Sequence, residues 1–242
     1  MPARWNVAMT ATLIERHAGK QATDVLRLHR YDASVLLGNG QRANEAADLE
    51  FCRHNHIEVA RRVTGGGAVY MTPDMLAWEL IVDRARLGGE LAAITAHICS
   101  GIARGLSLLG VETRFCPPND IEIDGRKVSG SSGYSSGRTI ALQGTVLIGD
   151  DRSMMAAALR TPLAELRSRV TNLNEQVGIE LDLTNVAQCL VSGLTEAMQC
   201  YCDRQAPTDG EVASCETLLR DEIGQDAFVF GDTGPTKVGT AA

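Results

Sequence analysis

Apolar residues recur at steps of three and four through residues 91–109, where Leu91, Ile94, Ile98, Ile102, Leu106 and Leu109 line one side of a helix. The same spacing returns at Leu183, Val186, Leu190, Leu194 and Met198, predicting a helix over 182–201. Helical patterns also cover 6–18, 45–54 and 210–221. Between them lie short β-prone runs at 25–29, 34–38 and 57–63, and an apolar run at 76–82 that reads as a buried strand. Residues 121–123, 126–131 and 139–148 read as further strands, the first two joined across Asp124-Gly125, a dipeptide whose backbone tolerates positive φ. Helices and strands do not alternate regularly, and hairpins dominate the middle. The pattern predicts a mixed α+β fold rather than a doubly wound sheet.

Composition narrows the function. The 242 residues are 44% hydrophobic and 22% charged, enough apolar surface for a sizeable core. The net charge of −7 speaks against general nucleic-acid binding but leaves room for a local anion site. No apolar run reaches membrane-spanning length and the N-terminus has no signal-peptide core, so a cytoplasmic protein with no membrane partner is expected. Seven cysteines follow no disulfide or zinc spacing, which fits reduced thiols. Residues 231–242, rich in Gly, Thr, Pro and Ala, read as a frayed end; the expected division is a catalytic domain over 1–231 and a flexible tail over 232–242.

Four segments carry candidate chemistry. In Arg61-Arg62-Val63-Thr64-Gly65-Gly66-Gly67-Ala68-Val69-Tyr70, three consecutive glycines serve either as a flexible turn or as bare backbone for close approach to a phosphate or adenine, with Arg62 adding charge. In the stretch from Pro117 to Ser131, period-two geometry groups Lys127, Ser129 and Ser131 on one strand face, as in the wall of a polar cleft. The alternative is a plain hairpin with Lys127 in solvent. Asn119-Asp120 falls at the same strand end, where amide, carboxylate and ammonium can hold a metal–phosphate beside a carboxylate. Gly144, in the strand segment Leu142-Gln143-Gly144-Thr145, reads by itself as a bulge, and Ser168-Arg169-Val170-Thr171-Asn172-Leu173 reads by itself as a loop with Thr171 capping a short helix.

Taken in order, the four blocks resemble lipoate–protein ligases of the biotin/lipoate ligase superfamily, and residues 7–14 and 36–41 are similar to the family's opening helix and Gly-x-x-Gln loop. The resemblance implies a mixed sheet flanked by helices, related to class II aminoacyl-tRNA synthetases. It implies that lipoate or octanoate is joined to ATP, with Mg²⁺, as an acyl-AMP, and that the acyl group passes to a lysine of a lipoyl-carrier protein. Lys127 is then the catalytic lysine, Arg62 a phosphate ligand and Asp120 the Mg²⁺ ligand. Gly66, Gly67, Ala68, Val69, Tyr70, Asn119, Ser129, Gly130, Gly144, Thr145, Arg169, Thr171 and Asn172 are the implied nucleotide and lipoyl-AMP contacts.

The chain departs from the family pattern at Met71-Thr72, where His-Asp is common, and at Gln143, where His is common. The two-domain ligases continue into an accessory domain, which this chain is expected to lack, so a separate accessory subunit is an expected partner. The rival readings are an ATP-independent octanoyl or lipoyl transferase using Cys116, a biotin ligase, whose Gly-Arg-Gly-Arg loop is absent, and a carrier-binding subunit without catalysis.

Overall fold

The computed structural model describes residues 1–231; the expected tail over 232–242 lies outside them. Nine strands are formed: β1 Val25–His29, β2 Ser34–Leu37, β3 Glu58–Arg61, β4 Val69–Met71, β5 Met75–Asp83, β6 Arg114–Cys116, β7 Asp120–Ile123, β8 Arg126–Ser136 and β9 Thr139–Leu147. The α-helices are α1 Ala3–Ala18, α2 Ala43–Ala46, α3 Leu49–His54, α4 Arg84–Leu87, α5 Leu91–Ser107, α6 Arg152–Ala158, α7 Leu163–Arg169, α8 Leu173–Val177, α9 Leu183–Met198, α10 Asp209–Leu218 and α11 Asp226–Phe230. The architecture is α+β. Among the described residues no helix is long and apolar enough to cross a membrane.

A six-stranded sheet of order β1-β5-β9-β8-β7-β6 is antiparallel throughout, and a three-stranded sheet of order β3-β2-β4 stands beside it. The large sheet separates two cores. Leu76, Trp78, Leu80 and Val82 of β5 join Ile98 and Ile102 of α5 and Leu190 and Leu194 of α9. Met75, Ala77 and Ile81, alternating with them, face the side of α1 and the small sheet. Burial on both faces is why this strand is a continuous apolar run rather than an alternation.

The differences from the sequence pattern have local causes. The expected helix over 45–54 is two helices, because Ala47 is extended and the Asp48 carboxylate caps α3 at Phe51 N, 2.9 Å away. Helix α1 starts at Ala3 rather than near residue 6 because the Glu58 carboxylate, from β3, accepts from the first-turn N–H groups of Ala3 and Arg4. Strand β8 runs on to Ser136 through Ser- and Gly-rich sequence because β9 pairs it from Ser129 to Ser136. The helix expected over 210–221 ends as α10 at Leu218 and passes into a π-helical turn, Leu219–Ile223. The Asp124-Gly125 turn forms as expected, with both residues at positive φ.

Candidate active site

A cleft of about 350 Å³ lies between the large sheet, the small sheet and the helices α6 and α7. One wall is the glycine loop. Arg62 is buried behind it, donating from Nη1 to Leu36 O at 2.7 Å and from Nη2 to Gly65 O and Gly67 O at 2.9 Å each. Burial pushes its pKa down to about 10, so it stays charged at neutral pH. Arg62 thus lines the cleft and at the same time braces the glycine loop through three carbonyls, a second role that the sequence did not foretell. The bracing has a consequence for the backbone. A trans peptide sets its N–H opposite its C=O. Carbonyls of Gly65 and Gly67 drawn onto the guanidinium turn the N–H groups of Gly66 and Ala68 to the other side. Gly66 sits at φ +94°, a conformation that favours glycine.

Lys127 lines the cleft, and its Nζ pairs with Asp120 Oδ1 at 2.7 Å. The simple alternation expected for β8 does not hold. Glu122 pairs with Lys127 but Ile121 pairs with Ser129, so Val128 is the extra residue of a β-bulge. The bulge leaves Lys127 with Gly130 and Ser132 on the cleft wall. Ser129 is buried away from it, whereas Ser131 still borders the cleft, with its hydroxyl hydrogen-bonded to Asn119 O at 2.9 Å and 3.3 Å from Cys99 Sγ. The Lys127 side chain lies over Gly130, where a Cβ would stand 2.5 Å from both Cε and Nζ. Gly130→Ala is expected to push the ammonium aside and lower turnover about tenfold or more without unfolding the chain, since the clash is with a flexible tip. Unchanged turnover beside an unchanged melting curve would show that Lys127's path over residue 130 is immaterial.

Gly144 is not at a bulge. The β5–β9 and β8–β9 registers run through it without a shift, and a Cβ there would meet the Trp78 ring at 2.6 Å and Gly130 O at 2.7 Å. Thr145 and Gln143 flank it on the cleft wall, and Gln143 Nε2 donates to Thr64 Oγ1 at 2.5 Å, tying the sheet to the glycine loop. Gly66, Gly67, Ala68, Val69, Tyr70, Asn119 and Arg169 also reach the cleft. Thr171 and Asn172 do not. Thr171 N donates to Lys127 O at 2.9 Å, so the segment holds the backbone of Lys127, and it is Asn172 rather than Thr171 that caps the next helix, accepting from Glu175 N. Asp120 stands behind Lys127, off the cleft wall. Among the described residues no group of three or more His, Cys, Asp or Glu is placed to hold a metal. One carboxylate suits Mg²⁺ only when phosphate oxygens supply most of the remaining ligands.

Sequence reasoning passed over two parts of the cleft. Met155 of α6, Leu159 just after that helix and Leu166 of α7 cover it; their spacing was readable but short. The other part is a buried polar group formed by His29 of β1, Tyr31 just after it and Glu79 of β5, with Arg27 pairing to Glu79 from outside the cleft. A single charge inside an apolar run, Glu79, was the available signal.

Residues 2–195 match the family model of the "Lipoyl protein ligase A/B catalytic domain". The chain belongs to this family. Among curated relatives of this lipoyl ligase family, the chain is 27% identical over 225 residues to lipoate-protein ligase A subunit 1 of Thermoplasma acidophilum, covering 86% of this chain and 84% of that one. It is 24% identical over 250 residues to the octanoyltransferase LipM of Kyrpidia tusciae, covering 90% and 91%. The fold matches a solved archaeal structure, a bi-partite lipoate protein ligase and its E2 lipoyl domain from Thermoplasma acidophilum, with a TM-score of 0.87 at 23% identity over 99% of this chain and 97% of that one. Both ligases and an acyltransferase thus stand among the relatives. Cys116 bears on the choice within the family. It ends the edge strand β6, away from the cleft wall, and its thiol is pushed up by a hydrogen bond to Glu122 and by burial.

Proposed function

We propose that the protein attaches lipoate, or a related medium-chain acid, to a lysine of a lipoyl-carrier protein through an acyl-adenylate made from ATP. The observation that carries this reading is Lys127. Its ammonium lies over Gly130 on the cleft wall, which the braced glycine loop shares, while no cysteine lines the cleft among the described residues. Attack of a carboxylate on a phosphate ester brings like charges together, and a cation between them lowers the barrier.

In the first step a carboxylate oxygen of the acid attacks the α-phosphorus of ATP, and pyrophosphate leaves with the electrons of the broken P–O bond. Lys127 exchanges its Asp120 partner for the acid and the α-phosphate. The N–H groups of Gly66 and Ala68, turned by Arg62, meet phosphate oxygens, and Gly67, Val69 and Tyr70 continue that wall. Asn119, Gly130, Gly144 and Thr145 complete the floor beneath the adenylate. Arg169, exposed at the C-terminal end of α7, offers a cation at the rim. Mg²⁺, if carried in by the triphosphate, would find its protein ligand in Asp120 and would neutralise phosphate charge. In the second step the carrier's ε-amine attacks the acyl carbon, AMP leaves, and the amine gives up a proton. The partners of this reading are the carrier and an accessory subunit, supported by relatives described as a ligase subunit and a bi-partite ligase.

The test is the mass of a carrier domain after incubation with lipoate, with and without ATP, alone and with a candidate accessory protein. Modification should require ATP. Cys116→Ser should keep more than about half of the activity, since the adenylate route needs no thioester. Modification from an octanoyl donor without ATP, abolished in Cys116→Ser, would replace the ligase reading by a transferase.

A further inference from the structure

Lys127 stands where the large sheet is incomplete. Strand β9 pairs with β8 only from Ser129 onward, so Arg126 and Lys127 have β7 on one side and no strand on the other. A strap between α7 and α8, residues 170–172, takes the place of the missing neighbour. Thr171 N donates to Lys127 O at 2.9 Å, and Val170 and Lys127 form an isolated parallel bridge. A lone bridge is a weak hold, because the rigidity of a strand comes from its ladder. The strap is tied down by Arg152, the first residue of α6. Its Nη1 donates to Val170 O at 3.2 Å and its Nη2 to Glu175 Oε2 at 2.6 Å. Nε and Nη2 fork onto the two oxygens of Asp150 at 2.7 and 2.8 Å. Glu175 in turn accepts from Arg126, the residue before Lys127, at 2.7 Å. Arg152 thus reaches the lysine backbone by two routes, one through Val170 and one through Glu175 and Arg126. Its side chain is 10% exposed, against 73% for Arg169 in its pair with Glu165. A solvated pair of the second kind contributes little, whereas a buried guanidinium held by two carboxylates and a carbonyl fixes geometry. The hydrogen bonds from Arg152 push Asp150 down to about 2, and those from Arg126 and then Arg152 hold Glu175 below the usual carboxylate range. Both carboxylates therefore stay charged at neutral pH.

We propose that Arg152 is a positioning residue for Lys127: through Val170 and Glu175 it fixes the backbone from which the ammonium is aimed into the cleft. The inference rests on the ligase reading given above. A lysine carries its charge on a long flexible stem. Its tip is placed by the backbone at one end and by the surface it lies over, here Gly130, at the other. A misplacement of about 1 Å at a reacting centre costs on the order of 10²-fold in rate, so a strap that drifts is felt at the phosphate. Arg152 is not part of the cleft wall and touches neither the acid nor the nucleotide in this reading. Its effect on the reaction should therefore pass through Lys127.

The experiment is steady-state pyrophosphate release from lipoate and ATP by the whole protein, with the accessory protein added where wild-type turnover needs it. The variants are Arg152→Met, Lys127→Ala and the two combined. Arg152→Met should lower kcat about tenfold and leave KM for ATP and for lipoate within about twofold of the wild type. Added to Lys127→Ala it should lower kcat by less than about twofold more, because residues that act through one another are not additive. A wild-type kcat in folded Arg152→Met overturns the inference alone. So does a full further tenfold loss on top of Lys127→Ala, which would show that Arg152 serves the reaction by another path. If Arg152→Met unfolds, Glu175→Gln decides. It keeps the volume and removes the charge that joins Arg152 to Arg126, and should cost about threefold in kcat with no further loss in the Lys127→Ala background. A wild-type kcat there overturns the inference. Failure of the wild type to release pyrophosphate at all overturns the ligase reading together with this one.

Discussion

Replacing Lys127 by alanine should lower acyl-adenylate formation by about 10²–10³-fold while leaving the protein folded. The size follows from the charge problem. Carboxylate and triphosphate are both anionic, and Lys127 is the cation that the floor of the cleft presents to them. The fold should tolerate its loss because the side chain is about one-third exposed and its partner Asp120 is similarly open to water, so neither group is left as a buried charge. Lys127→Arg should not rescue, because a planar guanidinium cannot lie over Gly130 as the slender lysine tip does. The readout is pyrophosphate release from lipoate and ATP, beside a thermal melt. Release at the wild-type rate in Lys127→Ala would remove this residue from the reaction.

Arg61→Met should cost about 3 kcal/mol of stability or more. Arg61 is fully buried and its guanidinium donates to the carbonyls of Gly38, Asn39 and Gln41 on one side and Phe228 and Val229 on the other. It joins α11 to the loop after β2. Methionine fills much of the volume but leaves these carbonyls facing an apolar side chain. The two neighbouring arginines thus divide the work. Arg61 holds α11 to the loop, and Arg62 shapes the glycine loop. The urea midpoint should fall clearly with the slope unchanged. A midpoint within experimental scatter of the wild type would show that water replaces Arg61 at little cost.

Much of this protein was legible along the chain. The spacing of Ile94, Ile98, Ile102 and Leu106 on α5, and of Val186, Leu190 and Leu194 on α9, marks helices because a helix must turn one face to the core. Asp124-Gly125 marks its hairpin because few residue pairs accept positive φ twice. The ordered blocks from Arg61 to Leu173 singled out the cleft before any contact was known, and the fold brings Lys127, Gly130, Gly144 and the glycine loop together around it.

What the tertiary structure decided concerns groups whose partners are far off in sequence. Period-two counting set Ser129 beside Lys127, but the bulge at Val128 exists only because β7 pairs with β8 in a shifted register. The segment Thr171-Asn172 looked like part of the nucleotide site, yet it acts on the backbone of Lys127 from 44 residues away. Glu58 starts α1 across 55 positions of chain. The cluster of His29, Tyr31 and Glu79 was hidden in and just after strands that read as ordinary core. Helical and strand periodicity reports how a residue sits relative to its own axis. Burial of a charge, the direction of a guanidinium and the approach of a ring to a glycine depend on which other strand or loop arrives there, and that is set only when the sheets close on one another.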